Sequence, residues 1–381
     1  MCSIFCKIES VSARTTDTLG LEIRKNKTTM ASSKEDGTAA AAQQLGSMSL
    51  GDSVERKNNE TEPTTKNGTT PTKLFCSACG KKSDALKKCT ACKCVWYCDK
   101  KCQNKHWKEH KKECRPIKKE LDKRGGKLDL GEELAIGPLG KLPPREECPI
   151  CMHALPIHES LHTYFPCCGK MICCGCDHQH SMKSGKGRTC AFCREPLKTD
   201  DENLARLSKR IELNDPVAMC NMALAHGFGF IGLPVDRAKC IGLLRQSADD
   251  LGDPTALNQL GNFYHDGTMG LEQNDGEALK YWEKAAKSGH LVAQHNLGFR
   301  EVRIGDNVAA IRHWRLSASG GLRMSMENLI AGFENGFLHH GDLAETLQAM
   351  YRSKAEMKSD DRNKYIQHLK TTGKYKQEYD M

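Results

Sequence analysis

Cysteine spacing constrains this 381-residue chain more than any other feature. Two stretches carry their thiols in close pairs. The first reads Cys76-x2-Cys79, Cys89-x2-Cys92, Tyr97-Cys98-x3-Cys102, then His106-Trp107-x2-His110-x3-Cys114. The second opens with Cys148-Pro149-Ile150-Cys151, runs through Cys167-Cys168 and Cys173-Cys174-Gly175-Cys176, and closes with Cys190-Ala191-Phe192-Cys193-Arg194. Two ligands two residues apart form a knuckle that grips one side of an ion, and tetrahedral sets of sulfur and imidazole suit zinc. With few large apolar residues, these stretches cannot fold on a core of their own. Bound metal has to supply the stability, on the order of 10 kcal/mol per structural zinc in small peptides. Cys98 with Cys102, and His110 with Cys114, are each spaced i, i+4, which puts each pair on one helix face.

The string Tyr97-Cys98-x3-Cys102-Gln103, followed by His106-Trp107 and His110-Lys111-x2-Cys114, resembles a MYND finger along its whole length. That resemblance implies two interleaved zinc sites, Cys76, Cys79, Cys98 and Cys102 on one ion and Cys89, Cys92, His110 and Cys114 on the other. Cys94 and His106 are then spare. MYND fingers dock short proline-containing peptides, and Trp96 and Trp107 are the candidate contact residues. Packing of both tryptophans against the knuckles is the alternative.

The order of pairs in the second stretch resembles a RING finger, closest to the all-cysteine variant of the deadenylase-complex ubiquitin ligase with one residue deleted between the third and fourth ligands. The family pattern implies one zinc on Cys148, Cys151, Cys173 and Cys176, and another on Cys167, Cys168, Cys190 and Cys193. Adjacent ligands are sterically awkward, so His162 or His178 are alternatives for one of the Cys167–Cys168 pair. Ligase-competent members touch a ubiquitin-conjugating enzyme through an apolar residue in the first knuckle, matched here by Ile150. They hold the conjugated ubiquitin through a cation after the last ligand, matched by Arg194. Two positions depart from the pattern: Ala191 replaces a proline and His180 a tryptophan. A ligase of this type works by positioning a bound thioester and needs no nucleophile of its own, so no catalytic residue is assigned.

From Leu204 onward the chain is periodic. Asp215-Pro216-Val217-Ala218, Asp253-Pro254-Thr255-Ala256 and His290-Leu291-Val292-Ala293 recur at intervals of 38 and 37 residues, with a degenerate fourth start at Leu322-Arg323-Met324-Ser325. Leu260-Gly261 matches Leu297-Gly298, Trp282 matches Trp314, and the first unit carries one extra residue near Ser247. A fixed period of this size predicts stacked helical hairpins. The pattern Ala-x3-Leu-Gly…Ala-x3-Trp-x2-Ala-Ala-x2-Gly resembles Sel-one-like repeats, relatives of tetratricopeptide repeats, which implies a concave surface for a protein client. Cys220 and Cys240 read as core thiols, and His339-His340 as an exposed pair without a role.

The expected organisation is mainly α. A disordered low-complexity leader covers 1–73, a MYND finger 74–115, a linker 116–146, a RING-type finger 147–198, helical repeats 204–357 and a fraying charged tail 358–381. Met30 is an alternative start to Met1. Pro138-Leu139-Gly140-Lys141-Leu142-Pro143-Pro144 reads as an extended spacer, with occupation of the MYND groove in cis as the alternative. The 21 cysteines without a secretory leader favour metal sites in a reducing, intracellular setting, cytoplasmic or nuclear. No uncharged apolar run approaches the roughly 18 residues of a membrane helix, so no membrane partner is expected. From Lys73 to Lys127, 18 Lys and Arg against 6 Asp and Glu give +12, beside +9 for the whole chain. That field attracts acidic partners, but without an aromatic–basic stacking run specific nucleic-acid recognition is not expected. Four zinc ions and a RING-type ubiquitin ligase whose MYND and repeat modules choose clients form the leading reading. A non-enzymatic zinc-dependent adaptor, or a nuclear co-regulator, is the alternative.

Overall fold

Side-chain caps set the phase of the carboxy-terminal half. Asp215, Asp253 and His290 each accept a backbone N–H of the following turn and so start a helix. Asp236, Asn274 and Asp306 start the second helix of each hairpin in the same way. Pro216 and Pro254 take the first helical position, where no N–H is needed. The periodic motif of the sequence is thus a helix-start signal.

The structure, a computed structural model, describes residues 75–83, 85–126, 136–184, 189–197 and 199–376. The expected leader over 1–73 lies outside the described residues. Strands β1 (Lys87–Lys88) and β2 (Trp96–Tyr97) pair antiparallel and lead to α1 (Lys100–Lys123). The hairpin of β3 (His162–Phe165) and β4 (Lys170–Cys173) leads to α2 (Cys174–Lys183). After α3 (Asp200–Glu212) come four hairpins: α4 (Pro216–Phe228) with α5 (Arg237–Arg245), α6 (Pro254–Asp266) with α7 (Asp275–Lys287), α8 (Leu291–Arg303) with α9 (Asn307–Ser319), and α10 (Arg323–Glu334) with α11 (His340–Met357). Helix α12 (Asp360–Thr371) is the last helix among the described residues. The extra residue near Ser247 is absorbed by a π turn, Gln246–Asp250, at the end of α5. Among the described residues no helix is long and apolar enough to cross a membrane.

Within the two middle hairpins the first helix offers a glycine to a tryptophan of the second. A Cβ on Gly261 would lie 2.5 Å from Trp282, and one on Gly298 would lie 2.3 Å from Trp314. Cys220 and Cys240 are buried in the core of the first hairpins, beside Leu224, Leu244 and Leu260.

The two cysteine-rich stretches are seated on this array. The apolar stripe of α1 continues past Cys114 through Ile117 and Leu121, both buried, so the helix runs beyond the finger and into a core shared with Met326, Leu329, Phe333, Leu347 and Met350. Arg124 then stacks on Phe333, 4.3 Å from the ring centroid, and donates to its carbonyl.

Three expectations need correcting. The expected linker over 116–146 begins as the end of α1, and its proline-containing part, described from 136, is neither a free spacer nor a ligand of the MYND groove, because it lies along the array. Arg312 Nε and Arg315 Nη1 donate to the carbonyls of Ile136 and Gly137, each at 2.8 Å. Pro143 covers Gly289, Leu142 reaches Gly320, and Arg145 bonds the Gly320 carbonyl. The tail does not fray after Met357: Ser359 caps α12, and Arg362 and Leu369 are buried as that helix packs against the second cysteine-rich stretch. His340 is buried rather than exposed, inserted between the array and the first stretch.

Gly298→Ala should therefore overpack the Trp314 contact and lower stability by about 1–3 kcal/mol. Gly242→Ala, on an exposed face of α5 with open space around the new methyl, should be neutral or stabilising by up to about 1 kcal/mol. Paired chemical denaturation of the two variants checks both signs.

Candidate metal centres

A single five-residue turn recurs at four of the five Cys-x2-Cys pairs, the fifth, Cys173 with Cys176, entering helix α2 instead. In each of the four the N–H of the fourth residue after the first cysteine donates back to that cysteine's carbonyl: Gly80 to Cys76 at 2.8 Å, Lys93 to Cys89 at 3.0 Å, Met152 to Cys148 at 2.9 Å and Arg194 to Cys190 at 3.1 Å. Closing so short a loop turns that fourth residue left-handed, at φ 74° for Gly80, 58° for Lys93, 55° for Met152 and 65° for Arg194. A non-glycine residue pays about 1–2 kcal/mol for this conformation. Isolated bridges Phe75–Lys82, Glu147–Ala154 and Thr189–Pro196 close three of these turns from outside. The result is two thiols facing one way.

The β3–β4 connection uses the same turn in another frame. Gly169 donates to the Phe165 carbonyl at 2.8 Å and sits at φ 69°. Cysteines here occupy the third and fourth places, so the adjacent Cys167 and Cys168 present their sulfurs together. The steric objection to neighbouring ligands is met by this bend. His162 instead contacts Met171 Sδ at 3.0 Å, and His178 lies against His368 and Tyr365.

The described residues form four groups whose donor atoms all lie within 4.8 Å of one another: Cys76, Cys79, Cys98 and Cys102; Cys89, Cys92, His110 and Cys114; Cys148, Cys151, Cys173 and Cys176; Cys167, Cys168, Cys190 and Cys193. Each group combines one tight turn with a second pair supplied from elsewhere. Helix α1 gives the first two groups Cys102, His110 and Cys114, and β4 with the start of α2 gives the third group Cys173 and Cys176. Within both stretches the groups alternate along the chain, so neither can form without crossing the other.

Distances test whether zinc fits. Bonds of about 2.3 Å to sulfur and about 2.0 Å to nitrogen give a tetrahedron with edges of about 3.8 Å between sulfurs and about 3.5 Å from sulfur to nitrogen. The observed S···S separations are 3.7 Å for Cys79–Cys98, 3.9 Å for Cys89–Cys114, 3.8 Å for Cys151–Cys173, 3.8 Å for Cys168–Cys190 and 3.4 Å for Cys167–Cys193. Cys92 Sγ lies 3.3 Å from His110 Nε2. Every described cysteine is a free thiol. These dimensions and donor types suit zinc.

Residues left over from the groups have other work. Cys94 Sγ lies 3.2 Å from His340 Nε2, and His106 Nδ1 is 3.1 Å from the Tyr97 hydroxyl. Burial pushes His106 down to about 3, so it is neutral at physiological pH. Trp107 is 38% exposed and Trp96 carries Lys88 over its ring at 5.1 Å, so Trp107 offers the freer surface.

In the second stretch Ile150 is 42% exposed at the tip of the first knuckle. Arg194 occupies the left-handed position of the last knuckle, with Nη1 2.6 Å from His180 Nδ1. Ala191 is buried, and neighbouring Phe192 is exposed.

Sequence reasoning did not anticipate the groups that contact these centres from the array. His340 Nε2 donates to the Cys92 carbonyl at 2.8 Å, His110 Nδ1 lies 3.2 Å from the Tyr351 hydroxyl, and Arg362 Nη2 lies 3.5 Å from Cys151 Sγ. These partners come from more than 200 positions away. No local pattern marks them.

Comparison with known proteins agrees in part with this layout. Residues 76–114 match the MYND finger family, and residues 216–250 and 254–290 match the Sel1 repeat family. The chain is 46% identical over 50 residues to histone-lysine N-methyltransferase ASHR1 of Arabidopsis thaliana, a match covering 13% of this chain and 10% of that protein. It is 34% identical over 82 residues to SET domain-containing protein 14 of Caenorhabditis elegans, covering 22% of this chain and 18% of that protein. The chain thus spans a tenth to a fifth of the length of these curated relatives. A Sel1 repeat protein from Oxalobacter formigenes aligns in structure over 34% of this chain and 97% of its own, at 27% identity and a TM-score of 0.31. The family matches thus put a MYND finger ahead of Sel1 repeats, which supports a zinc-binding protein built from protein-interaction modules.

Proposed function

We propose that the sixteen grouped side chains hold four zinc ions, two in a MYND finger over 74–115 and two in a RING-type module over 147–198, and that the protein is a RING-type ubiquitin ligase. The repeats over 204–357 and the MYND finger would select clients, the latter through proline-containing peptides met at Trp107. When bound, zinc would supply folding free energy to stretches whose buried clusters are made largely of the ligand cysteines themselves. The observation that carries the ligase reading is the alternation of the third and fourth groups with Ile150 projecting from the first knuckle between them. A conjugating enzyme would seat on that apolar tip. Arg194, placed just after the last cysteine, would restrain the conjugated ubiquitin, lowering the entropic part of the barrier without a nucleophile. Clustered free thiols suit a reducing compartment, which favours cytoplasm or nucleus.

The adaptor reading has a specific observation of its own. Arg194 already contacts His180, and buried Ala191 stands where the family pattern has a proline. An adaptor would keep all four ions and the client surfaces while transferring nothing.

Two measurements follow. Autoubiquitination across a panel of conjugating enzymes should be abolished by Ile150→Ala and reduced several-fold by Arg194→Ala. Inactivity with every enzyme, in protein that holds its zinc, would establish the adaptor.

The second concerns protons. Burial pushes the Cys168 thiol up to about 11, and hydrogen bonding with the Cys148 sulfur pushes Cys173 up to about 11. Both are protonated at neutral pH in the metal-free chain and must lose a proton to bind. Zinc uptake should therefore release protons and weaken as pH falls. Calorimetric titration in two buffers of different ionisation enthalpy reads the release directly, and identical heats would refute it.

A further inference from the structure

One side chain from each of the two last helices reaches a metal group in a different finger. On α11, the Tyr351 hydroxyl lies 3.2 Å from His110 Nδ1 and donates to Glu113 Oε2 at 3.0 Å. With that hydrogen spent on the carboxylate, the hydroxyl oxygen is left to accept from Nδ1–H. The proton then sits on Nδ1, and Nε2, the nitrogen facing Cys92 Sγ, keeps its lone pair for an ion. Tyr351 and Glu113 are both buried, and His106 meets the Tyr351 ring edge-on at 4.4 Å. Water does not compete for these bonds.

On α12, Arg362 is 1% exposed. Its Nη1 donates to the carbonyls of Ala154 at 2.6 Å and Met357 at 2.5 Å, and its Nη2 to that of His153 at 3.3 Å. Two thiols of the metal group complete its surroundings: Cys151 Sγ lies 3.5 Å from Nη2, and Cys173, whose Sγ is 3.8 Å from that of Cys151, also hydrogen-bonds with the guanidinium. Carbonyl oxygens accept from Nη1 and Nη2, the buried Nε–H has no acceptor, and none of these carbonyls balances the charge; an unpaired buried cation is costly. Four thiolates around one divalent ion carry a net charge of −2. Docking is close: a Cβ on Gly175 of α2 would lie 2.6 Å from the Arg362 backbone.

We propose that α11 and α12 complete one metal centre in each finger, Tyr351 as the positioning residue for His110 and Arg362 as the counter-ion of the Cys148, Cys151, Cys173 and Cys176 group. The proposal rests on the four-zinc reading. It makes zinc retention in both fingers depend on the carboxy-terminal end of the array, hundreds of residues away in sequence. Tyr351 fixes the tautomer and plane of one ligand. Arg362 offsets the charge that the other group gains on binding.

The test uses full-length, zinc-loaded protein. Native mass spectrometry first counts zinc in the wild type, and transfer to a chromophoric chelator then gives release rates. Tyr351→Phe and Arg362→Met are each expected to release one zinc at least about ten-fold faster than wild type, the scale seen when an outer partner of a ligand is lost. The other three ions should be unaffected. Leu260→Ala, which hollows the core of the first hairpins away from both fingers, lowers the melting temperature and should leave release unchanged. Arg362→Lys should recover part of the retention lost in Arg362→Met. In cobalt-substituted protein, Tyr351→Phe should shift the ligand-field bands of the histidine-containing site, and Leu260→Ala should not. Wild-type release from a variant, with four zincs in the wild type, overturns that residue's role and leaves the four-zinc reading standing. Fewer than four zincs in the wild type overturns both.

Discussion

Two sulfurs leave a knuckle in the same direction because the backbone four residues after the first cysteine is forced left-handed. Everything in the two cysteine-rich stretches is built outward from that turn. It costs strain at Lys93, Met152 and Arg194, which the backbone hydrogen bonds closing each turn offset. The same turn read one frame later, at Phe165–Gly169, shows that the geometry tolerates different cysteine placements as long as the bend is kept.

Arginine does the joining between modules. Arg124 bonds the Phe333 carbonyl, Arg145 that of Gly320, Arg312 that of Ile136, Arg315 that of Gly137, Arg210 those of Pro166 and Cys167, and Arg362 those of His153 and Ala154. Irregular finger and linker backbone leaves carbonyl oxygens without helix or sheet partners. A planar guanidinium with five donors can satisfy several of them at once. Arg315 also meets Asp342 at 3.0 Å and Glu345 at 2.5 Å while 2% exposed, so it ties linker, α9 and α11 at one point.

What could be read from the chain alone was whatever has a short period. Thiols two apart, repeat starts at intervals of 38 and 37 residues, and leucine–glycine and tryptophan positions that match from one repeat to the next each announce themselves locally; the structure shows the starts to be helix caps and the matched glycines to lie against the matched tryptophans. Docking has no such signature. Arg362 sits in a run of charged residues that reads as a solvated face, and only the opposing carbonyls and thiols make it an interior residue. His340 looked exposed because its neighbour is a glycine, yet Cys92 and Cys94 close over it. The linker's prolines mark a segment without helix or strand, but the surface that receives it belongs to α9 and the Gly289 turn. Contacts across such separations carry no periodicity to detect.

The second cysteine-rich stretch touches both extremities of the helical array. Tyr164 donates to Asp215 at the mouth of α4, at 2.6 Å, and Arg362 of α12 reaches Cys151 from the far end. An open stack of hairpins can gain or lose a unit by duplication or deletion, because each unit answers only to its neighbours. Here an added hairpin would thrust the two termini apart by roughly 10 Å per helix layer, and a stretch of fixed span could no longer bridge them. Copy number, usually the freest variable in such architectures, is pinned in this molecule by a clasp.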